Sequence, residues 1–179
     1  RAEHKAELGQ FFTPAHVARF MASLPSYSGP RISILDPGAG LGTLLASAIL
    51  EICKKSTKVQ EIHITAYELD PDLRIHLDRT IGLCRQACEL QGINLSSCVR
   101  EQDFIEDAVN YVSGTMFARE IAAPNIVIIN PPYRKIRTGS PHSRLLKSAG
   151  LGSTNLYTAF LTLAIKLLQP DGSMVSITP

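Results

Sequence analysis

The residues Asn130-Pro131-Pro132-Tyr133 combine the side chains and the stiffness needed to hold a planar group that carries an NH2. They follow the apolar run 126–129, which predicts a buried parallel strand, and ligands bind at the carboxyl ends of such strands. The Asn130 side-chain oxygen and the Pro131 carbonyl are two acceptors, the prolines fix the turn, and the Tyr133 ring is a flat stacking surface. Asn-Pro-Pro is also an ordinary turn at a strand end, so other parts of the sequence are needed to distinguish a substrate site from a structural turn.

A basic segment follows this turn. Between residues 134 and 147 there are five basic side chains and no acidic one. They are Arg134, Lys135, Arg137, Arg144 and Lys147. A solvated loop would explain such a run, but beside a substrate site it indicates contact with phosphates. We predict that Arg134, Lys135 and Arg137 bind nucleic acid.

The predicted strands and helices alternate along the chain, and they must position the Asn-Pro-Pro-Tyr turn and the basic segment. Strands are predicted over 31–35, 62–67, 95–101, 125–129 and 173–177, with helices over 14–24, 43–55, 71–90, 105–119 and 154–168. Thr13 is the predicted N-cap of the first helix. The alternation indicates an α/β fold with a doubly wound, mostly parallel sheet in the order 3-2-1-4-5. Residues 133–153 are predicted to form one long loop without structure of its own.

A glycine-rich turn, Asp36-Pro37-Gly38-Ala39-Gly40-Leu41-Gly42, joins the first strand to the next helix. Its glycines allow a sharp turn and close approach of a ligand, and Gly38 and Gly40 are the predicted contacts. The spacing departs from the dinucleotide fingerprint, and no Gly-Lys-Ser/Thr follows as in a P-loop. Asp36 would repel a pyrophosphate and attract an ammonium group, which favours a ligand with an amino acid moiety.

Two further predicted strands also end in a carboxylate. Glu68 can accept hydrogen bonds from ribose hydroxyls, and Leu69 can cover a face of an adenine ring. Asp103 can accept from the adenine amino group, with Phe104 packed on the ring. Each residue alone could be a helix cap or a core side chain. Together with Asp36 they indicate a nucleoside that carries an amino acid, which is S-adenosylmethionine.

In these residues the chain resembles the catalytic part of an amino-group (N6-adenine) DNA methyltransferase of the gamma arrangement, from a restriction-modification system. The matching blocks, in the order of the family, are 9–14, 36–42, Glu68-Leu69, Asp103-Phe104, Asn130–Tyr133 and 155–160. The resemblance implies a Rossmann-like methyltransferase fold. It also implies that Phe12, Thr13 and Pro14 hold the methionine end of the cofactor, that Phe160 borders its adenine, and that Asn130 contacts it.

The function implied by the resemblance is the transfer of a methyl group from S-adenosylmethionine to the exocyclic amine of an adenine flipped out of double-stranded DNA. Asn130, Pro131, Pro132 and Tyr133 are then the catalytic residues, and no metal is needed. A restriction endonuclease domain or partner is a further expectation. Residues 1–179 are expected to be one catalytic domain, a fragment that lacks the family's target-recognition domain.

Other functions stay open at this point. A protein-glutamine methyltransferase also uses Asn-Pro-Pro-Tyr on a planar amide, although the Phe-Thr-Pro block and the basic segment favour DNA. Methylation of adenine in structured RNA is a second alternative. A non-catalytic module that binds cofactor or DNA is a third.

Composition narrows the class of protein. Apolar residues make up 45% and charged residues 19%, which indicates a globular chain rather than a disordered one. No apolar run is long enough to span a bilayer, and the first residues do not resemble a secretory signal. None of the four cysteines forms a C-x-x-C pair, and only His76 lies near Cys84 and Cys88 as a further zinc ligand. We therefore predict buried thiols in a reducing cytoplasm. The resemblance to a restriction-modification enzyme implies that this cytoplasm is bacterial or archaeal.

Overall fold

One parallel sheet organises the protein. The computed structural model describes residues 12–55, 58–116 and 118–178. Its strands are β1 (Arg31–Asp36), β2 (Glu61–Tyr67), β3 (Asn94–Arg100), β4 (Ile126–Ile129) and β5 (Ser173–Ser176). They pair in parallel in the order β3-β2-β1-β4-β5, as predicted. The order reverses between β1 and β4, and such a switch point is where open α/β sheets bind ligands.

Helices cover both faces of this sheet. Within the described ranges they are α1 (Ala15–Ser23), α2 (Thr43–Lys55), α3 (Pro71–Glu89), α4 (Phe104–Val112), α5 (Pro141–Ser148) and α6 (Leu156–Leu167). Helices α1 to α3 contribute to one buried cluster, and α4 to α6 contribute to the other. No helix in the described part of the chain is long and apolar enough to cross a membrane.

Strand β4 shows why the sheet needs two covered faces. All four of its residues are buried. Ile126 and Ile128 belong to the cluster with α1 to α3, whereas Val127 and Ile129 belong to the cluster with α4 to α6. Side chains alternate between the faces of a strand, so a purely apolar strand is stable only between two layers of helices. Because this buried strand ends at Ile129, Asn130 lies at the carboxyl end of the sheet.

Several predicted helix ends agree with the structure, and two do not. Asp70 caps α3 by accepting the Asp72 N–H at 2.9 Å, and Gly92 follows that helix at φ +69°. Helix α4 ends at Val112, seven residues earlier than predicted, where Gly114 takes a left-handed conformation (φ +61°). Thr13 was predicted to cap α1, but no side chain caps this helix and the Thr13 hydroxyl oxygen accepts a hydrogen bond from the Asn130 amide.

The prediction of one unstructured loop over 133–153 was wrong, because this segment contains α5. The Ser140 hydroxyl accepts the Ser143 N–H at 3.2 Å, and Pro141 occupies the first turn, where its missing N–H costs nothing. Leu146 is 1% exposed and anchors the helix in the core. This helix has only eight residues and a single buried one, so the hydrophobic periodicity that would predict a helix is weak in this basic segment.

The cysteine prediction is confirmed for two of the four residues. Cys84 and Cys88 are buried in the cluster with α1 to α3, whereas Cys53 and Cys98 are half-buried. All four are unpaired, although the Cys53 and Cys88 sulfur atoms lie 3.7 Å apart. Burial raises the pKa of the Cys84 thiol to about 11, so this residue packs as a small apolar side chain.

Candidate cofactor and catalytic site

A cleft lies over the carboxyl ends of the strands, with about 730 Å³ of empty space that opens to solvent. Most of the predicted cofactor residues line it, namely Phe12, Gly38, Gly40, Glu68, Leu69, Asp103, Phe104, Asn130 and Phe160. Thr13, Pro14 and Asp36 do not line it. Residues 9–11 of the amino-terminal block lie outside the described residues. Of the predicted catalytic turn, Asn130 and Pro132 line the same cleft, whereas Pro131 and Tyr133 do not.

Some lining residues were not predicted as cofactor contacts. They are Pro37, Tyr67, Leu73, Gln102 and Pro132. Pro37 and Gln102 adjoin predicted residues in the sequence, so adjacency could have suggested them. Leu73 lies one turn into α3 and reaches the cleft only because that helix starts directly beside Glu68.

Glu68 holds the glycine turn against the start of α3. Its Oε2 accepts the Gly40 N–H and its Oε1 accepts the Asp70 N–H, both at 2.8 Å. Gly40 has φ +54°, a conformation that glycine adopts without strain. Burial raises the pKa of the Glu68 carboxyl, although the two N–H groups oppose the shift. Because a carboxylate has about four acceptor positions, these bonds leave it able to accept ribose hydroxyls as well.

Asp36 lies beneath the glycine turn and is fully buried. Its Oδ1 accepts the Gly38 N–H at 3.3 Å, whereas its Oδ2 has no hydrogen-bond partner within the described residues. The pKa of the Asp36 carboxyl is raised to about 7, mainly by burial and to a smaller extent by the Glu68 carboxylate, whereas the Gly38 N–H opposes the increase. Asp36 does not line the cleft, but a carboxylate beneath the glycine turn attracts a cationic group bound above that turn, which fits the ammonium group of S-adenosylmethionine.

The buried Asp36 makes stability depend on pH. Because its pKa is about 7 in the folded protein and 3.8 ordinarily, the folded state holds a proton that the unfolded state releases, and stability falls as the pH rises through this range. We expect Asp36→Asn to exceed the wild type in free energy of unfolding by up to ~4 kcal/mol at pH 8 and to match it near pH 4. Urea titrations of both proteins at several pH values measure this difference, and a difference independent of pH would contradict the assignment.

Apolar and aromatic side chains form the wall on which an adenine could pack. Phe104 and Phe160 have ring centroids 5.1 Å apart at 48°, and Tyr67 meets Phe104 edge-on at the same distance. Leu69 lines the cleft and is 53% exposed, so its side chain is accessible to a bound ligand. Asp103 lies beside this wall and caps α4 by accepting the Glu106 N–H at 3.1 Å.

The Asn-Pro-Pro-Tyr turn is held by contacts from distant parts of the chain. The Asn130 amide donates to the Thr13 hydroxyl oxygen at 3.2 Å, which fixes the orientation of its oxygen. The Tyr133 hydroxyl lies 2.9 Å from both Asn130 Oδ1 and the Ile177 carbonyl oxygen. One hydroxyl proton serves these two acceptors in turn, so Tyr133 can release the Asn130 oxygen to another donor without losing its own hydrogen bond.

The basic residues beside the turn point away from the core. Arg134, Lys135 and Arg137 are all exposed. Lys135 forms an isolated antiparallel bridge with Asn155, so the first residues of the segment have a defined backbone position beside α6. Their charges are therefore accessible to a polyanion, and their role in DNA binding stays a prediction.

The sheet order, the glycine turn after β1 and the carboxylates that follow β2 and β3 define a Rossmann-like methyltransferase fold. A Listeria monocytogenes protein described as a class I S-adenosylmethionine-dependent methyltransferase superposes on this chain with a TM-score of 0.62 at 18% identity. The superposition covers 96% of this chain and 47% of the Listeria protein. At this identity the likeness concerns the fold. Residues 1–179 match the N-6 DNA Methylase family, and the chain belongs to that family.

Two relatives are similar over nearly the whole chain. The Type II methyltransferase M.BsuBI of Bacillus subtilis is 33% identical over 99% of this chain and 34% of its own length. The Type II methyltransferase M.PstI of Providencia stuartii is 35% identical over 98% of this chain and 34% of its own length. The chain therefore spans about a third of the length of these relatives. The predicted family, fold and cofactor, S-adenosylmethionine, are confirmed, whereas the roles of individual residues stay predictions.

Proposed function

We propose that the protein is a site-specific DNA adenine methyltransferase of a restriction-modification system, which methylates the exocyclic amine of an adenine flipped out of the duplex. The observation that carries this proposal is the shared cleft, in which Asn130 of the catalytic turn lies with Glu68 and Asp103 of the cofactor side. The relatives named Type II methyltransferases support the same activity.

Asn130 and Pro131 are proposed to act as a pair of acceptors. S-adenosylmethionine, when bound, supplies an electrophilic methyl group. The Asn130 side-chain oxygen and the Pro131 carbonyl would accept the two amino hydrogens of adenine, which makes the nitrogen lone pair available. They would also stabilise the positive charge that develops on the nitrogen. Thr13 fixes the amide of Asn130 and the prolines fix the turn, so the acceptors need little reorganisation.

Tyr133 is proposed to stack on the flipped adenine. Extruding a base from the duplex costs a few kcal/mol, and a flat ring at the mouth of the site offsets part of this cost. The hydroxyl group keeps the ring in place through Ile177, and Tyr157 supports it with a centroid distance of 6.2 Å. Pro132 lines the cleft beside Asn130, and its fixed φ stiffens the turn that carries Tyr133.

A methyl-transfer assay with the intact protein and labelled S-adenosylmethionine tests the proposal. We expect N6-methyladenine in duplex DNA after digestion and mass spectrometry. Label in a glutamine-containing translation factor would favour a protein methyltransferase, and label only in structured RNA would favour an RNA enzyme. Cofactor binding without any transfer would leave a non-catalytic module. Each of these three results would overturn the DNA assignment.

The proposed DNA contact of the basic segment leads to a salt-dependence prediction. Reversing both charges in Lys135→Glu/Arg137→Glu should weaken DNA binding and reduce the slope of log affinity against log salt by about two units, since each lost phosphate contact removes about 0.9. Fluorescence anisotropy over a range of salt concentrations measures this slope. Lys54→Glu/Arg79→Glu is a matched control, because these residues are exposed on α2 and α3, which cover the other face of the sheet. Equal slopes for both variants would exclude the role.

The expected partners complete the proposal. Double-stranded DNA is the proposed macromolecular substrate. The second proposed partner is a restriction endonuclease, as a further domain or a separate protein, and the methylation would protect DNA from its cleavage. The four unpaired cysteines support a cytoplasmic location with a reducing environment.

A further inference from the structure

His142, on α5, contacts a carboxylate at the edge of the cleft. Its Nε2 lies 2.8 Å from Asp103 Oδ2. The other oxygen of Asp103, Oδ1, accepts the Glu106 N–H in the cap of α4. Both oxygens of this cleft-lining carboxylate are therefore oriented by the protein, one by its own helix and the other by a side chain 39 residues away in the sequence.

The imidazole is carried by an anchored helix rather than by a loose surface loop. Leu146 of α5 is 1% exposed and belongs to the same buried cluster as Phe104 and Ala159. The His142 and Asp103 side chains are 37% and 25% exposed, so the pair is partly shielded from water. A charge-assisted hydrogen bond in this setting fixes a carboxylate more firmly than a bond between fully exposed groups.

The charges around the pair favour an imidazolium and a carboxylate. The Asp103 hydrogen bond raises the pKa of His142, although burial lowers it, and the charge of Glu106 adds to the increase. Burial raises the pKa of Asp103, but the hydrogen bond and charge of His142 outweigh it and leave the value below the ordinary one. Among the described residues, Arg144 of α5 also lines the pocket that contains this contact. The ion pair therefore exists between the pKa of Asp103, which lies below 3.8, and the pKa of His142, which lies above 6.5, and it is lost as the pH rises through the latter.

We propose that His142 is a positioning residue for cofactor binding: it holds the Asp103 carboxylate in the orientation that accepts the amino group of the cofactor's adenine. The inference rests on the proposed contact between Asp103 and S-adenosylmethionine. His142 also belongs to the segment that follows the Asn-Pro-Pro-Tyr turn and carries Lys135 and Arg137. The contact therefore ties the cofactor side of the cleft to the segment proposed to meet DNA.

Two substitutions at one position separate the hydrogen bond from the bulk of the ring. In His142→Gln the amide nitrogen can take the place of Nε2, whereas in His142→Asn it takes the place of Nδ1 and falls short of Asp103. We expect His142→Asn to weaken S-adenosylmethionine binding about tenfold by calorimetry and to raise its KM with kcat nearly unchanged. His142→Gln should stay within about threefold of the wild type. His76→Asn, an exposed histidine on α3, is the control and should bind normally.

The ratio of the wild-type affinity to that of His142→Asn should also decline as the pH rises above 6.5, because the ionisation of Asp36 in this range affects both proteins alike. An affinity within twofold of the wild type in His142→Asn, or a loss of kcat with cofactor binding unchanged, would overturn the inference while leaving the proposed function intact. Failure of the wild type to bind S-adenosylmethionine would instead remove the proposed function. If His142→Asn folds poorly, the imidazole NMR resonance of wild-type His142 tests the inference instead. Addition of S-adenosylmethionine should shift this resonance, and an unshifted resonance would overturn the inference.

Discussion

Replacing Asn130 with alanine is expected to lower the rate of methyl transfer by about a hundredfold to a thousandfold while S-adenosylmethionine binding stays near normal. The reason is that the side-chain oxygen is proposed to stabilise charge that develops on the amine only in the transition state, so its loss affects kcat rather than cofactor affinity. Tritium transfer to a DNA substrate measures the rate in the intact protein, and calorimetry measures cofactor binding.

The control for this result is Asn94→Ala, which removes an exposed asparagine at the amino end of β3, the opposite end of the sheet. It should transfer methyl groups at the rate of the wild type. Turnover of Asn130→Ala within about tenfold of the wild type would contradict the acceptor role, since one lost oxyanion-type contact costs about a hundredfold or more.

Replacing Glu68 with alanine is expected to weaken S-adenosylmethionine binding about a hundredfold. Two losses combine in this variant. The ribose would lose a charged acceptor, and the Gly40 and Asp70 N–H groups, each 2.8 Å from a Glu68 oxygen, would lose theirs. Hydrogen bonds to charged groups contribute about 1.5–3 kcal/mol each, which converts to one or two orders of magnitude in affinity. Calorimetry gives the affinity, and thermal unfolding gives the part of the effect that is structural.

Glu61→Ala is the matched control, because Glu61 begins the strand that Glu68 follows and pairs with Arg31 far from the cleft. It should bind the cofactor like the wild type. The Asp36→Ala variant should also bind less tightly, since the buried carboxylate would no longer attract the ammonium group. Unchanged affinity in both Glu68→Ala and Asp36→Ala would remove the assignment of this cleft to the cofactor.

Much of the architecture follows from local sequence patterns. The continuous apolar run of β4 requires a layer on each face, and this alone indicates a doubly wound sheet. Asp70-Pro71 marks the start of α3, where capping and a fixed φ act together. Glu68 and Asp103 follow neighbouring parallel strands, so the topology brings them to one edge without any knowledge of side-chain packing. These features depend on short-range chemistry and on the period of a strand.

The contacts that the sequence did not indicate join residues far apart in the chain. Thr13 was predicted to cap a helix, but its hydroxyl oxygen accepts a hydrogen bond from the Asn130 amide, 117 positions away. The His142–Asp103 pair depends on α5, whose stability comes from the burial of its Leu146 rather than from the helix propensity of its eight residues. Asp36 was expected to meet the ligand directly, and only the three-dimensional structure shows it buried beneath the glycine turn. Tertiary packing determines each of these, and local propensity carries no information about them.

The most direct test of the central claim is a crystal structure of the intact protein soaked with S-adenosylmethionine. We predict that its ribose lies on Glu68, that its adenine lies between Leu69 and Phe160, and that its sulfonium methyl points toward the side chain of Asn130. Electron density for the cofactor at any site remote from the Asn-Pro-Pro-Tyr turn would contradict the proposal that one cleft binds the methyl donor and presents it to an adenine.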